Sequence, residues 1–322
     1  MPVFTSLYHG DYEPVDEAEI DGMPIIDTFL VDRIVSLNVF GCPRTSLENH
    51  SAKSTSESPH HTCGIFIKAS HINHSCYSNA RRSFIGDMQI VRATRNIPAG
   101  SEIVFWYAIP GPNYTYEKTQ EKLKNWGFQC TCAICQQSKK IKKNVSSKRL
   151  ALLEDLKAAF GNRTGADLPK AERILNAVEK TYTELASEVP RLALWHPYLR
   201  LTRIYCSKNQ QDKVIETAWK VLKSLGFEIK RQNPLSLRSP FDFEQWGLME
   251  DCLIQIWIHL WTAYAQVAPG LCKKAEEYAK VTYKICIGED DTYDETYGKL
   301  AHEAMFEGVD LGEAFQSMAF MR

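Results

Sequence analysis

Three cysteines lie close together in the stretch "GFQCTCAICQQ", as Cys130, Cys132 and Cys135. This C-x-C-x2-C spacing lets three thiolates converge on one soft cation. A closed structural zinc site takes four ligands, at about 2.3 Å when the ligand is sulfur. The cluster therefore predicts a metal site whose fourth ligand comes from elsewhere in the chain.

Three upstream cysteines are candidates for that fourth ligand: Cys42, Cys63 and Cys76, the last of them in the stretch "NHSC". The acidic N-terminal stretch lacks the basic start and apolar core of a signal peptide. We therefore expect the nucleus or the cytoplasm, where clustered cysteines indicate a metal rather than disulfides. The other cysteines fall in predicted helices and are interpreted as core residues (206, 252, 272 and 286).

The elements that must position these residues begin with an amphipathic helix. It is predicted over residues 26–40, with one apolar face formed by Ile26, Phe29, Leu30, Ile34 and Leu37. Residues 1–25 are predicted to form loops, and residues 47–62 are predicted to form a disordered polar surface loop.

Short strands are predicted next. "RRSFIGDMQIVRAT" contains two β-rich runs separated by Gly86 and Asp87, which is typical of a hairpin. Residues 102–107 follow a Pro-Ala-Gly turn and predict a further strand. The stretch "YTYEKTQEKLKNWGF" predicts a short helix that Gly127 closes.

The second half of the sequence predicts helices. Residues 136–150 are interpreted as a basic linker, in which "KKIKK" is either a solvated run or a nuclear-import signal. Everything after about residue 148 has the apolar periodicity of paired helices, which favours helical hairpins of the tetratricopeptide kind. We therefore divide the chain into domains at 1–145 and 146–322.

The composition of the chain is that of an ordinary globular protein. Of its 322 residues, 44% are hydrophobic and 24% charged, with a formal net charge of -1. No run of about twenty apolar residues is present. Because no global field attracts the chain to polyanions, we expect neither nucleic acid nor a membrane as a direct partner.

The order of the motifs adds a family resemblance. "NHSCxxN", a hairpin, "GSEIVFWY" and "GFxCxCxxC" follow one another as in SET-domain protein-lysine methyltransferases, and the chain resembles the SMYD-like (SET and MYND) branch and its fungal relatives. The resemblance implies an α+β fold, in which a β-rich SET domain with a post-SET zinc site precedes an all-α helical-hairpin domain. It also implies that Cys76 joins Cys130, Cys132 and Cys135 as a zinc ligand.

The resemblance further implies S-adenosylmethionine as cofactor and assigns roles to single residues. Asn73 and His74 would line the cofactor pocket through their backbone, Phe128 would stack on the adenine, and Tyr107 would be the active-site tyrosine beside the cofactor. The lysine channel would be lined by Phe40, Asn38 and Trp126. Each residue also has an ordinary explanation as a core or strand-end residue, but their shared order favours the functional one.

Such a site transfers a methyl group directly to a neutral lysine amine. A narrow aromatic channel disfavours the charged lysine by desolvation, and aromatic faces can hold the cation before it loses its proton. A tyrosine hydroxyl at the end of the channel aligns the nucleophile. The zinc is structural and takes no part in the reaction.

The sequence departs from the family pattern in several places. It has no second Cys/His cluster for a MYND finger and no G-x-G motif before "NHSC", and Ser78 stands where proline is frequent. Trp126 stands where animal relatives usually carry a tyrosine. The chain is thus expected to lack the N-terminal half of a SET domain.

Two functions follow from these patterns. The first is an S-adenosylmethionine-dependent protein-lysine N-methyltransferase that acts on a histone or another protein, with a peptide partner for the helical half. The alternative is a non-catalytic helical-repeat interaction protein with a degenerate SET domain. The site residues favour the enzyme, and the missing glycine motif favours the alternative.

Overall fold

The structure is a computed structural model, and it describes residues 7–13, 27–42, 62–111, 115–161, 166–233, 236–311 and 314–315, together with the backbone of residues 19–20 and 23–24. The loop predicted at 47–62 lies outside the described residues as far as residue 61.

The first half of the chain is built from short strands and helices. They are β1 (Glu19–Ile20), β2 (Met23–Pro24), α1 (Thr28–Asn38), β3 (Val39–Cys42), β4 (Thr62–Ile65), α2 (Ile67–Ser70), β5 (Asn73–His74), β6 (Ala80–Ile85), β7 (Met88–Ala93), β8 (Val104–Phe105) and α3 (Tyr116–Leu123). A 3-10 turn, Lys124–Trp126, follows α3 and ends at Gly127, whose φ of 70° is the left-handed conformation predicted for this helix end.

Helix α1 begins where its first residues gain a hydrogen-bond acceptor. The carboxylate of Asp27 accepts a hydrogen bond from the backbone N–H of Leu30, 2.9 Å away. Leu30, Ile34 and Leu37 are buried, as the periodicity predicts. Phe29 is 72% exposed, which corrects its assignment to the apolar face. At about 100° per residue it lies roughly a quarter turn away from the centre of the buried stripe.

The strands form several two-stranded pairs. β6 and β7 form the predicted hairpin, in which Ile85 faces Met88 across the turn. β3 pairs with β4 in antiparallel orientation, and β5 pairs with β8 in parallel orientation. The strand predicted at 102–107 is shorter than expected, since only β8 is extended. β1 and β2 also pair, so the prediction of loops throughout residues 1–25 is wrong at this point.

The second half is mostly helical. Its helices and strands are α4 (Ala133–Lys140), α5 (Lys143–Phe160), α6 (Leu168–Glu179), α7 (Leu192–Ser207), α8 (Gln211–Ser224), β9 (Glu228–Arg231), β10 (Phe241–Gln245), α9 (Cys252–Val267), α10 (Cys272–Ile287) and α11 (Lys299–Phe306). Successive helices pack against each other in pairs, as predicted for helical hairpins. The likeness to tetratricopeptide repeats stays a prediction.

Two features of this half differ from the sequence-based expectation. The stretch interpreted as a linker, 136–150, lies mostly within α4 and α5, and the predicted domain boundary at 145/146 falls inside α5. The half is also not wholly helical, because β9 and β10 form an antiparallel hairpin. The alternation in Phe241–Gln245 turns aromatic rings inward, and Phe241 packs edge-on against Trp219 at a centroid distance of 4.8 Å.

Helix α9 forms the centre of the helical core. Its residues from Cys252 to Tyr264 are all buried, so its apolar character reflects burial on every side. Within the ranges that the structure describes, no helix has both the length and the apolar composition needed to cross a membrane.

The β6–β7 hairpin joins the two halves of the molecule. The Arg81 guanidinium donates a hydrogen bond to the Met249 carbonyl at 3.0 Å and forms an ion pair with Asp251. Arg92 donates to the Gly288 carbonyl at 2.8 Å. Both arginines therefore fix the hairpin to the segments that precede α9 and follow α10.

A buried histidine lies in the helical core. His259 on α9 is completely buried, with its Nε2 3.4 Å from the side-chain amide of Gln255, which accepts a hydrogen bond from Arg203. Burial lowers the pKa of His259 to about 3, and the charge of Arg203 acts in the same direction. The folded protein therefore holds this imidazole neutral.

We predict that His259 makes the folded state less stable in mild acid. The unfolded histidine takes up a proton below a pKa of about 6.5, whereas the folded one stays neutral, so the stability that it contributes is lost as the pH falls from 6.5 toward 3. Between pH 7 and pH 5, the free energy of unfolding, measured by urea denaturation, should fall by about 2 kcal/mol less in His259→Gln than in the unmodified chain. His302→Gln is the control, because His302 is exposed. An identical loss in the chain and in His259→Gln would contradict this account.

Candidate active site and cysteine cluster

The four cysteines named as metal ligands come together in the structure. The Sγ atoms of Cys76, Cys130, Cys132 and Cys135 all lie within 4.8 Å of one another. The sulfur of Cys76 is 4.0 Å from that of Cys130 and 3.6 Å from that of Cys135. Four sulfurs on a tetrahedron with metal bonds of about 2.3 Å would be separated by about 3.8 Å. The cluster can therefore hold a soft metal ion such as Zn²⁺.

The two competing cysteines lie elsewhere. Cys42 ends β3, and its thiol points to the Phe40 carbonyl at 3.3 Å. Cys63 lies on the neighbouring strand β4 and is exposed. Neither belongs to the group of four, so the geometry places Cys76 beside the downstream cluster, as the resemblance implies.

Local structure fixes each sulfur. Cys76 follows β5, and Cys132 and Cys135 lie at the start of α4. The side-chain amide of Gln120 on α3 accepts a hydrogen bond from the N–H of Cys130 at 2.9 Å and donates to its carbonyl at 3.2 Å. Gln120 therefore holds both sides of Cys130 and attaches the cluster to α3.

His74 connects the cluster to the tyrosine of the site. Its Nδ1 accepts a hydrogen bond from the backbone N–H of Tyr107 at 3.0 Å, so the ring proton resides on Nε2. Nε2 lies 3.4 Å from the sulfur of Cys76, to which it can donate. Partners of this kind orient a ligand and fix the tautomer. Both ring nitrogens of His74 are thus engaged within the fold.

Aromatic rings surround Tyr107. Its ring centroid lies 5.3 Å from that of Trp126, 5.5 Å from that of His74 and 6.1 Å from that of Phe128. His74 and Phe128 are themselves 5.9 Å apart. The structure therefore brings together four of the residues named from the sequence, next to the cysteine cluster. We call His74, Tyr107, Trp126 and Phe128 the aromatic site.

The hydroxyl of Tyr107 has a fixed direction. It donates a hydrogen bond to the carbonyl of Ile72 at 2.9 Å. Burial raises the pKa of Tyr107 above its ordinary value, although the positive charge of Arg82 acts against this. The group is thus a neutral phenol near pH 7, and its oxygen lone pairs can accept a hydrogen bond.

Arg82 is a positioning residue that the sequence analysis missed. Its guanidinium donates to the carbonyl of Trp106 at 2.7 Å, immediately before Tyr107, and lies over the rings of Phe40 and Phe105 at 5.3 and 5.1 Å. Burial lowers the pKa of Arg82 to about 10. Its neighbour Arg81 points to the helical half, since side chains alternate along a strand. In the sequence, the signal for this role was a charged residue at an inward-facing position of β6.

Phe40 lies in a second aromatic group. Its ring packs against Phe66 and Phe105 at 5.8 and 6.1 Å, and Phe105 lies 6.0 Å from Tyr107. Phe40 is therefore separated from the aromatic site by one ring, in a packed position 9% exposed.

Asn38 attaches the end of α1 to the backbone of residue 8, and Trp126 attaches α1 to the segment before the cysteines. The amide of Asn38 donates to the carbonyls of Tyr8 and Ile34, at 2.7 and 2.8 Å. The indole N–H of Trp126 donates to the Leu37 carbonyl at 3.1 Å. The side-chain amide of Asn38 is thus used by the backbone, while the Trp126 ring borders Tyr107.

Two asparagines of the "NHSCxxN" motif have different surroundings. The exposed Asn73 donates its amide to the carboxylate of Glu102 at 2.6 Å. Asn79 is buried, accepts a hydrogen bond from the Val104 N–H at 2.9 Å and donates to the Glu102 carbonyl at 2.8 Å. Asn79 was not assigned a role from the sequence. It fixes β8 beside the motif and thereby helps to position Tyr107, which follows β8.

The comparisons with known proteins agree with this geometry. Residues 16–108 match the family model described as the SET domain. The chain carries a SET domain. The match includes the "NHSC" motif and Tyr107, and it ends before the segment with Cys130, Cys132 and Cys135.

Related proteins extend the similarity beyond the SET domain. The chain is 38% identical over 302 residues to a protein named methyltransferase from Gibberella zeae, covering 91% of this chain and 42% of the relative. It is 34% identical to the histone-lysine N-methyltransferase SET5 of Meyerozyma guilliermondii, over 30% of this chain and 23% of the relative. It is 36% identical to the human protein-lysine N-methyltransferase SMYD4, over 23% of this chain and 9% of the relative. The chain spans less than half the length of each of these relatives.

Proposed function

We propose that the chain is an S-adenosylmethionine-dependent protein-lysine N-methyltransferase of the SET family, or the part of one that carries these residues. The observation that carries the proposal is the aromatic site around a neutral, directed Tyr107 hydroxyl beside four converging cysteines. The matched SET domain and the relatives named methyltransferase support it. Apart from the missing G-x-G motif, no observation favours the non-catalytic alternative.

The cysteine cluster is proposed to hold one structural zinc ion. Four sulfurs complete a tetrahedral site, and no position is left for water or substrate, so the metal would serve the fold. It would join the strand region with Cys76 to α4, and His74 would transmit that constraint to the backbone of Tyr107.

The residues of the aromatic site fit the proposed cofactor. Phe128 is partly buried beside His74 and Tyr107, and we propose that its ring stacks on the adenine while the backbone of Asn73 and His74 lines the pocket. When bound, S-adenosylmethionine supplies the methyl group.

Tyr107 and Trp126 are proposed to prepare the lysine amine. The Tyr107 hydroxyl donates its hydrogen bond to the Ile72 carbonyl, so its lone pairs are free to accept a hydrogen bond from an N–H of the incoming amine and to orient the nitrogen lone pair. Trp126, 5.3 Å away, offers an aromatic surface that excludes water and disfavours the ammonium form. The positive charge of Arg82 nearby also disfavours the ammonium form of the lysine by repulsion.

The proposed substrate is a lysine side chain in a protein. Two relatives are named as histone-lysine and protein-lysine N-methyltransferases, and both histone and non-histone proteins are therefore proposed substrates of this chain. A nuclear or cytoplasmic location and a peptide partner for the helical half complete the proposal.

The metal proposal predicts one zinc ion per chain, lost in Cys76→Ser. Removal of one of four ligands leaves an incomplete site, so zinc should fall well below one equivalent after dialysis, as measured by atomic emission. Cys42→Ser is the matched control, since Cys42 is also buried but lies outside the cluster. Retention of zinc in Cys76→Ser together with its loss in Cys42→Ser would show that the ligand assignment is wrong.

Calorimetric titration of S-adenosylmethionine into the zinc-loaded chain tests the function directly. We expect saturable micromolar binding and an affinity about tenfold lower in Phe128→Ala, because a stacked ring is removed. Phe306→Ala is the control, as this ring is 81% exposed in the helical half. A folded, zinc-containing sample that does not bind the cofactor would contradict the proposal.

Tyr107→Phe should lower methyl transfer at least about tenfold while the chain stays folded, because the ring remains and the directing hydroxyl is lost. Incorporation of tritiated methyl groups into recombinant core histones measures this rate, and calorimetry should show an almost unchanged cofactor affinity. Tyr116→Phe is the control, since Tyr116 lies outside the aromatic site. An unchanged rate in Tyr107→Phe would remove Tyr107 from the catalytic role.

A further inference from the structure

Positive charge is concentrated in one segment of a nearly neutral chain. Residues 115–150 contain nine lysines and arginines against two glutamates, a formal charge of +7. Since the whole chain carries -1, the remaining residues carry -8. The small net charge of the protein therefore hides a strongly separated distribution, which net charge alone did not reveal.

Four of these lysines meet where two helices join. Lys139 and Lys140 are the last residues of α4, Lys142 is the N-cap of α5, and Lys143 is its first residue. All four are exposed. We call them the basic junction. Arg149, farther along α5, is not a member, because it is engaged by Thr181 and by the ring of Tyr182.

Few carboxylates of the chain neutralise the lysines of the basic junction. Within the part of the chain covered by the structure, none of its four lysines forms an ion pair. Lys139 lies over the ring of Tyr116 at 5.3 Å, which leaves its charge unpaired. Hydrogen bonds from its own backbone and from Thr115 lower the pKa of Glu117, and the charge of Lys143 makes a smaller contribution in the same direction. The junction therefore presents several uncompensated charges to the solvent.

Two of the lysines stand at an electrostatically unfavourable position. The N-terminus of a helix carries a partial positive charge, and cations there are destabilising. Lys142 and Lys143 nevertheless occupy the start of α5, next to the lysines that end α4.

The cysteine cluster holds this surface in place. Cys132 caps α4 and Cys135 lies on it, one turn before Lys139. Because α4 is only eight residues long, the sulfurs at one end determine where the lysines at the other end project. The basic junction is consequently part of two helices, whereas the sequence alone predicted a basic linker.

We propose that the basic junction binds the phosphodiester backbone of duplex nucleic acid without sequence preference. Lysines act as point charges that suit phosphate, and nothing at the junction supplies the bidentate arginine used to read bases. A membrane surface would require apolar side chains beside the lysines, whereas the residues from 139 to 144 contain only the half-buried Ile141. The proposal is independent of methyl transfer and revises the expectation, based on net charge, that nucleic acid is not a partner.

Fluorescence anisotropy with a labelled duplex DNA of about 30 base pairs tests the proposal on the zinc-loaded chain. Non-specific binding through four lysines should give a slope of log K against log salt of about -3 to -4, with micromolar affinity near 50 mM salt. The quadruple variant Lys139→Gln, Lys140→Gln, Lys142→Gln and Lys143→Gln should bind at least about tenfold more weakly and lose most of that slope. Glutamine removes the charge and has a helix propensity close to that of lysine.

The matched control replaces four exposed lysines of the helical half with glutamine: Lys208, Lys223, Lys273 and Lys299. It changes the net charge by the same amount. Because these lysines lie outside the basic junction, the variant should keep the salt slope and nearly all of the affinity. An equal loss in both variants would reduce the effect to net charge and overturn the proposal. Absence of DNA binding at 50 mM salt, or preferential binding of a polyglutamate peptide or of anionic vesicles over the duplex, would also overturn it. Circular dichroism and zinc content verify that each variant is folded.

Discussion

The convergence of four sulfur atoms is the constraint on which the arrangement of the site depends. Cys76 follows a strand of the SET domain, whereas its three partners lie more than fifty residues later, around the start of a short helix. Around the sulfurs the described residues form a small core, in which Leu123 is buried and the rings of Tyr107, Trp126 and Phe128 are partly buried. Holding the sulfurs together therefore brings Trp126 and Phe128, which precede Cys130, against Tyr107.

His74 links this constraint to the chemistry. A single imidazole accepts from the backbone of Tyr107 and faces the sulfur of Cys76, so the position of the tyrosine is coupled to the cluster. Asn79 and Arg82 act on the same strand from other sides, through the Val104 N–H and the Trp106 carbonyl. Tyr107 is thus fixed at its own N–H and hydroxyl and through Val104 and Trp106 before it, which is the preorganisation that an aligning hydroxyl requires.

The helical half supports the site through the β6–β7 hairpin. Neighbouring residues of one strand serve opposite purposes, because Arg81 binds the segment before α9 while Arg82 lies beneath the aromatic rings. Tyr77, next to Cys76, donates its hydroxyl proton to the carbonyl of Ser187 in the helical half at 2.9 Å. A large core made mostly of helices therefore holds a strand region whose own cores are small.

The sequence by itself determined the elements whose patterns are local. The hairpin turn at Gly86, the end of the helix at Gly127 and the buried stripe of Leu30, Ile34 and Leu37 all follow from backbone preference and periodicity. The spacing of the three clustered cysteines and the order of the motifs likewise indicated the family. These features need only neighbours in the chain.

The tertiary structure decided what depends on distant contacts. It placed Cys76 beside the downstream cysteines and Cys42 away from them, which periodicity could not establish. It engaged the ring nitrogens of His74 with Tyr107 and Cys76 and left Phe29 exposed. It also paired β9 with β10 as a hairpin in a half predicted to be helical. Each of these outcomes is set by which surfaces meet in space, and burial and hydrogen-bond partners across the fold outweigh local preference there.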